Sequence, residues 1–136
     1  MAFTPEGEFM SGFSTNLEKD TLANIYFRKV IYTAPHSQLV LMCLQPSEDI
    51  GMEVHEKEDQ FFRVEKGRGK AILDGVEYKL NDGSCIVIPA GTKHNIINVS
   101  NSEQLKVYTI YSPAHHPDRR LNITKADAIA QEEESK

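Results

Sequence analysis

Four side chains in two short stretches of the chain have the types and spacing of a metal site. Glu53, His55 and Gln60 lie in the first stretch, and His94 lies in the second. Successive side chains on a β-strand point to opposite faces, so Glu53 and His55 share a face and can approach one centre. A carboxylate, two imidazoles and an amide oxygen are donors that divalent transition metals accept. We therefore predict a metal site formed by Glu53, His55, Gln60 and His94.

The spacing around these residues resembles the two sequence motifs of the cupins. Every position of the second motif is matched here, by Gly83, Pro89, Gly91, His94 and Asn98. The first motif is matched less closely. Gln60 and Gly67 keep the spacing of its carboxylate and glycine, and its two histidine positions fall on Glu53 and His55.

The departures from the usual cupin pattern, which has three histidines and one glutamate, offset each other. Glu53 replaces a histidine and Gln60 replaces the glutamate, so one carboxylate and two imidazoles remain. These four donors are chemically harder ligands than the usual cupin set, which favours Mn, Fe, Zn, Ni or Co over the soft ion Cu(I). A similar mixture occurs in type I mannose-6-phosphate isomerases, and the layout resembles the small cupins grouped with those isomerases.

The rest of the chain predicts an all-β fold. Asp74-Gly75 is a strong signal for a two-residue hairpin turn within residues 70–80. Further strands are predicted at 24–33, 37–44, 85–88 and 104–111. Short strands separated by turns are typical of a sandwich or barrel. The cupin resemblance then implies a double-stranded β-helix, the jelly-roll cupin barrel, with a short C-terminal helix.

We expect one domain with three parts. Residues 1–23 form an N-terminal arm in which Phe3, Phe9 and Phe13 lie against another surface, with a frayed tail as the alternative. Residues 24–112 form the cupin barrel. Residues 113–136 contain a loop, a short helix that begins near Thr124, and a mobile tail.

Composition excludes several classes of partner. The formal net charge is −5, and no basic stripe is present, so nucleic-acid binding is not expected. No apolar run is long enough for a membrane span, and no secretory signal is evident, which together predict a cytoplasmic protein. Cys43 and Cys85 lie in apolar runs and are interpreted as buried thiols rather than a disulfide.

Several further residues have open roles. Glu58 or Asp59 replaces Gln60 as the metal ligand if their loop folds inward. The Asn98 side chain is expected to form hydrogen bonds with the backbone. His115 and His116 are placed in an exposed loop, with a second site or a subunit contact as the alternative. No catalytic residue is singled out among the candidate acid-base groups Lys29, His36, Tyr108 and Tyr111.

These features lead to more than one functional hypothesis. The first is a metal-dependent sugar or sugar phosphate isomerase or epimerase, in which a divalent ion polarises a hydroxycarbonyl compound. A non-catalytic cupin that binds a small sugar or hydroxy acid is the second. A dioxygenase is the third, because two histidines and a carboxylate match the facial triad of non-haem iron enzymes. A homodimer is expected, by resemblance to other small cupins.

Overall fold

Antiparallel strands form most of the regular structure in the computed structural model, which describes residues 11–134. The strands, in chain order, are β1 Arg28–Thr33, β2 Gln38–Leu44, β3 Asp59–Lys66, β4 Gly69–Leu73, β5 Val76–Leu80, β6 Cys85–Ile88, β7 His94–Asn98, β8 Leu105–Ser112 and β9 Leu121–Asn122. Helix α1 spans Leu17–Ala23 and helix α2 spans Lys125–Glu134.

The strands form two sheets. One has the order β6-β3-β8-β2-β1-β9, and the other has the order β5-β4-β7. Residues 48–53 extend the second sheet beyond β7 through the bridges Asp49–Ile97 and Glu53–His94. This arrangement confirms the predicted jelly-roll barrel with a short C-terminal helix.

The interior of the barrel changes from apolar to polar along the strands. Inward positions at one end are fully buried and apolar, and they include Met42, Leu44, Val64, Leu105 and Val107. At the other end, Tyr111 on β8 lies opposite Gln38 on β2 and Gln60 on β3. These three residues are also buried, so one end of the barrel has hydrogen-bonding groups facing inward and the other supplies the hydrophobic core.

Two local predictions are confirmed by the backbone. Asp74 and Gly75 both have positive φ, 46° and 84°, as a two-residue hairpin turn between β4 and β5 requires. The Asn98 side chain forms hydrogen bonds with the backbone, as expected. Its Nδ2 donates to the carbonyl oxygens of Leu44, Gln45 and Glu103.

Other predictions need correction. Helix α1 was not anticipated; Asn16 caps it by accepting a hydrogen bond from the Lys19 backbone, but its seven residues are too few for a clear apolar period. Cys85 is exposed rather than buried, because Ile86 and Ile88 take the inward positions of β6. Helix α2 is capped by Thr124, and it runs to Glu134, into the tail that was expected to be mobile.

The predicted N-terminal arm is only partly described. Phe3 and Phe9 lie outside the described residues, as do residues 135 and 136 of the tail. Phe13 is described, and its ring stacks on that of Tyr32 with centroids 5.4 Å apart.

Candidate metal centre

Backbone hydrogen bonds bring the two predicted stretches together. Glu53 and His94 exchange both of their backbone hydrogen bonds, each with a nitrogen–oxygen distance of 2.8 Å. The carbonyl of His55 accepts a hydrogen bond from the Gly91 nitrogen at 2.9 Å. Since Gly91 belongs to the turn before β7, both ends of the 53–55 segment are fixed against the strand that carries His94. Sequence spacing alone indicated this convergence, and the structure provides its geometry.

Three of the four predicted ligands converge. Donor atoms of Glu53, His55 and His94 all lie within 4.8 Å of one another. The rings of His55 and His94 have centroids 5.2 Å apart, and both histidines are buried. His94 Nδ1 lies 2.8 Å from the carbonyl oxygen of Thr92. That contact assigns the ring proton to Nδ1 and leaves the lone pair of Nε2 available for a metal.

The donor atoms of Glu53 and His55 have the spacing of neighbouring ligands on one ion. Glu53 Oε2 lies 2.8 Å from His55 Nε2, close enough for an ion pair, and the buried Nε2 has no other polar partner among the described residues. Two ligands bonded at about 2.1 Å and roughly at right angles lie about 3 Å apart. The residues therefore fit a divalent ion.

Gln60 occupies the polar end of the barrel near these three residues. Its Nε2 donates to Thr109 Oγ1 at 3.0 Å, while its Oε1 is buried without a partner within residues 11–134. Gln60 lies opposite Tyr111, whose ring centroid is 5.7 Å from that of His55. Metal ligation by Gln60 stays a prediction, and the free amide oxygen supports it.

The electrostatics keep the site in a form that can bind a cation. Burial works to raise the pKa of Glu53, but contact with His55 and the positive charge of Arg28 outweigh it and hold the pKa below its ordinary value. Burial lowers the pKa of His94, partly opposed by the hydrogen bond to Thr92. Near neutral pH the carboxylate is thus ionised and the His94 imidazole is neutral, as metal ligation requires.

A substitution at position 60 tests whether this residue touches the ion. Gln60→Glu should tighten divalent metal binding by about tenfold, because a second carboxylate adds ligand charge. The same variant without metal should melt at a lower temperature than the parent protein, because a second buried carboxylate then lies near Glu53. Titration calorimetry and thermal melts measure the two effects.

Gln45→Glu is the matched control, since Gln45 is exposed and the substitution adds the same charge. It should change neither the metal affinity nor the melting temperature of the metal-free protein. If Gln60→Glu binds metal as weakly as the parent, position 60 is not a ligand.

Glu58 and His115 form a second group beside the first. His115 Nδ1 lies 3.1 Å from Glu58 Oε1, and the ring centroids of His115 and His55 are 4.2 Å apart. Donor atoms of His55, Glu58 and His115 also lie within 4.8 Å of one another. His115 is exposed, as expected for its loop, but it lies over the candidate metal centre.

The loop that carries His115 and His116 is fixed by one buried side chain. Gln38 Oε1 accepts hydrogen bonds from the backbone nitrogens of His115 and His116, and Gln38 Nε2 donates to the carbonyl oxygen of His116. His116 Nε2 also lies 3.2 Å from the Tyr111 hydroxyl. Burial, followed by the charge of Arg28, lowers the pKa of His116 to about 2, so this imidazole stays neutral.

The barrel and its convergent carboxylate and imidazoles define a small protein that binds a metal or a small molecule. A cupin domain model matches residues 40–111, and the chain belongs to the cupin superfamily. Within residues 11–134, no helix has both the length and the apolar character that a membrane crossing requires.

Three comparisons illustrate its relatives. An uncharacterized protein, L612 of Acanthamoeba polyphaga mimivirus, is 49% identical over 116 residues, which is 83% of this chain and 72% of the viral protein. The crystal structure of BH2720 from Bacillus halodurans has a TM-score of 0.84 and 42% identity, covering 87% of this chain and 93% of that one. A sugar phosphate isomerase from a cupin superfamily of Silicibacter pomeroyi has a TM-score of 0.53 and 21% identity, covering 58% and 52%. That last likeness shows the fold alone.

Proposed function

We propose that this cupin is a metal-dependent enzyme that moves a proton on a small hydroxycarbonyl compound, as sugar isomerases and epimerases do. The observation that carries the proposal is the convergence of Glu53, His55 and His94, with a buried imidazole nitrogen that has no polar partner other than Glu53 among the described residues. A divalent ion there, one of Mn, Fe, Zn, Ni or Co, would act as a Lewis acid on the carbonyl oxygen of the ligand.

Isomerisation also requires a group that carries the proton. His115 is the best candidate, because Glu58 contacts its Nδ1 and leaves Nε2 free to exchange a proton with a ligand. The 4.2 Å ring distance to His55 places His115 directly beside the proposed ligands. The carboxylate orients the ring, as in other carboxylate–histidine pairs.

Tyr111 is better suited to hold the site than to act as a base. Burial raises the pKa of Tyr111, an effect that the negative charge of Glu53 increases, so its hydroxyl stays protonated. The hydroxyl lies within hydrogen-bond distance of the neutral His116, whose Nε2 is 3.2 Å away. This contact and the Gln38 hydrogen bonds hold the 115–116 loop in position above the site.

Solvent exchange tests the proposed activity directly. Metal-loaded protein is incubated in heavy water with a panel of aldoses, ketoses, their phosphates and small hydroxy acids, and mass spectrometry follows deuterium at carbon. We expect at least one panel member to gain deuterium at the carbon next to its carbonyl group. Binding that depends on metal without any exchange would instead indicate a non-catalytic binding protein.

The dioxygenase is the second candidate, and one observation favours it. Two histidines and one carboxylate are the ligand set of the facial triad in non-haem iron enzymes. Oxygen consumption by the iron-loaded protein with a panel compound, without deuterium exchange, would select this alternative.

Two finer assignments belong to the same proposal. We place the chain with the mannose-6-phosphate isomerase-like cupins, on the strength of its ligand mixture. We also expect a homodimer, supported by a groove of about 700 Å³ on the outer face of β1 and β2 that is lined in part by Phe13, Ile25, Leu41 and Leu121. Light scattering at micromolar concentration should give a mass near twice 15.3 kDa, and a monomer mass would contradict the expectation.

A further inference from the structure

The interior of the barrel has an apolar side at the end that carries the candidate metal centre. One row of directly paired residues crosses the smaller sheet at this end. Its members, starting from the edge strand β5, are Val76, Leu73, His94 and Glu53. Directly paired residues point to the same face of a sheet, so Val76 and Leu73 share the inward face with two of the proposed metal ligands.

The opposite sheet changes from polar to apolar in the same direction. Gln60 on β3 is paired with Tyr111 on one side and with the buried Ile88 on the other. Ile88 lies on the edge strand β6, which follows β5 in the chain after residues 81–84. Each sheet therefore places polar groups beside the candidate metal centre and an apolar residue on its edge strand.

The hairpin that carries Val76 is fixed beside His94. The backbone nitrogen of Asp74 donates to the carbonyl oxygen of Lys93 at 2.7 Å, and the Asp74 carboxylate accepts a hydrogen bond from the Lys93 nitrogen at 3.0 Å. Lys93 directly precedes His94 in the chain. Neighbouring strands lie about 4.8 Å apart, so Val76 is two strand spacings, about 10 Å, from His94 along the row. A small molecule held at the metal centre can therefore reach Val76 with a ring or a short alkyl group.

Two apolar side chains on this inward face are open to solvent. Val76 is 53% exposed and Tyr78, the next inward residue of β5, is 46% exposed, whereas Leu80 at the other end of the strand is buried. Single exposed apolar residues are common on outer surfaces. Inward positions of a barrel strand normally face the core, as Leu80 does, so Val76 and Tyr78 leave an apolar surface open beside the metal centre.

We propose that Leu73, Val76 and Tyr78 form an apolar subsite, against which the ligand packs a ring or an alkyl group while its hydroxycarbonyl group meets the proposed metal ligands. This inference rests on the proposed function and narrows its substrate class to hydroxycarbonyl compounds with an apolar substituent. Burial of such a substituent against these side chains is favourable. Hydroxyl groups in the same place would lose water without gaining hydrogen-bond partners from Leu73 or Val76.

Three probes separate apolar from polar recognition. Hydroxyacetone, dihydroxyacetone and 2-hydroxyacetophenone share one hydroxymethyl ketone group, and the other substituent of the carbonyl carbon is methyl, hydroxymethyl or phenyl. Binding to metal-loaded protein is measured by calorimetry, after the metal content of every sample has been determined. We expect the phenyl probe to bind at least about 10-fold more tightly than the other two, because removal of about 60 Å² of apolar area from water corresponds to that factor.

Two substitutions assign that preference to the subsite. Val76→Thr keeps the shape of the side chain but adds a hydroxyl group, and Tyr78→Ser removes the ring. In the double variant the preference for the phenyl probe should fall to less than about threefold, with the metal content unchanged. Val87→Thr is the matched control, since Val87 is 61% exposed on β6 between the inward residues Ile86 and Ile88. It should leave the preference unchanged.

Two results would overturn the apolar subsite and leave the metal centre intact. One is a phenyl probe that the metal-loaded parent protein binds no more tightly than the other two probes. The other is a phenyl preference that persists in the double variant. If that variant keeps the preference but has a smaller mass by light scattering, the exposed surface is a contact between two copies of the chain.

Failure of the parent protein to take up metal contradicts the proposed function instead. The same probes are then measured on the metal-free protein. Loss of a phenyl preference in the double variant still supports the subsite there, and an absent or unchanged preference overturns it.

Discussion

Protein supplied with a divalent transition metal should bind close to one ion per chain, and His94→Ala should lower the affinity at least about 100-fold. Loss of a hydrogen-bonding group behind a ligand already costs about 10- to 100-fold, and loss of the ligand itself costs more. His55→Ala should lower the metal affinity to a similar extent, because it removes the buried Nε2 that lies beside the Glu53 carboxylate. Elemental analysis after equilibrium dialysis measures the stoichiometry.

Metal binding should also stabilise the folded protein. An ion present at 100 times its dissociation constant adds about 2.7 kcal/mol to the free energy of unfolding, because the unfolded chain lacks the site. His36→Ala is the matched control, since His36 is an exposed histidine in the loop between β1 and β2. That variant should retain both the ion and the stabilisation. Equal metal content in His94→Ala and His36→Ala would contradict the site.

The second large effect is expected on catalysis. With a panel compound that exchanges deuterium, His115→Gln should slow the exchange by about 10²- to 10⁴-fold, the usual contribution of a positioned acid or base. Glutamine retains hydrogen-bonding capacity but cannot take up the proton, so the shape of the loop is largely kept. Metal content should be unchanged, because His115 is not among the proposed ligands.

The same variant distinguishes two arrangements of the site. Glu58→Gln should slow exchange less than His115→Gln does, because it removes only the group that orients the ring. Loss of the metal in both variants would show that the ion is held by His55, Glu58 and His115, the second group of donors. Unchanged exchange in His115→Gln would mean that another residue carries the proton.

The fold was predictable from local patterns, with instructive exceptions. Strict alternation at Gln60, Phe62 and Val64 correctly indicated the inward face of β3. Cys85 was placed wrongly because a run of four apolar residues does not show which positions face inward, and pairing with β3 settles that choice. Helix α1 depends on a capping residue and on contacts with other parts of the chain rather than on its own periodicity.

The candidate site also contains residues that the sequence predicted and residues that it did not. Glu53, His55 and His94 were identifiable because motif spacing reports which residues share a face. His115 was not, because its position over His55 follows from the pairing of Asp59 with Ser112, which brings the start of β3 beside the end of β8.

The most direct test of the account is to locate the ion by anomalous diffraction from crystals of the metal-loaded protein. We predict one anomalous peak at bonding distance, about 2.0–2.2 Å, from Glu53, His55 Nε2 and His94 Nε2. Continuous electron density that joins this peak to Gln60 Oε1 would show that Gln60 is the fourth ligand. A peak bonded to Glu58 and His115 but not to His94, or no peak within the barrel of fully loaded protein, would contradict the metal centre described here.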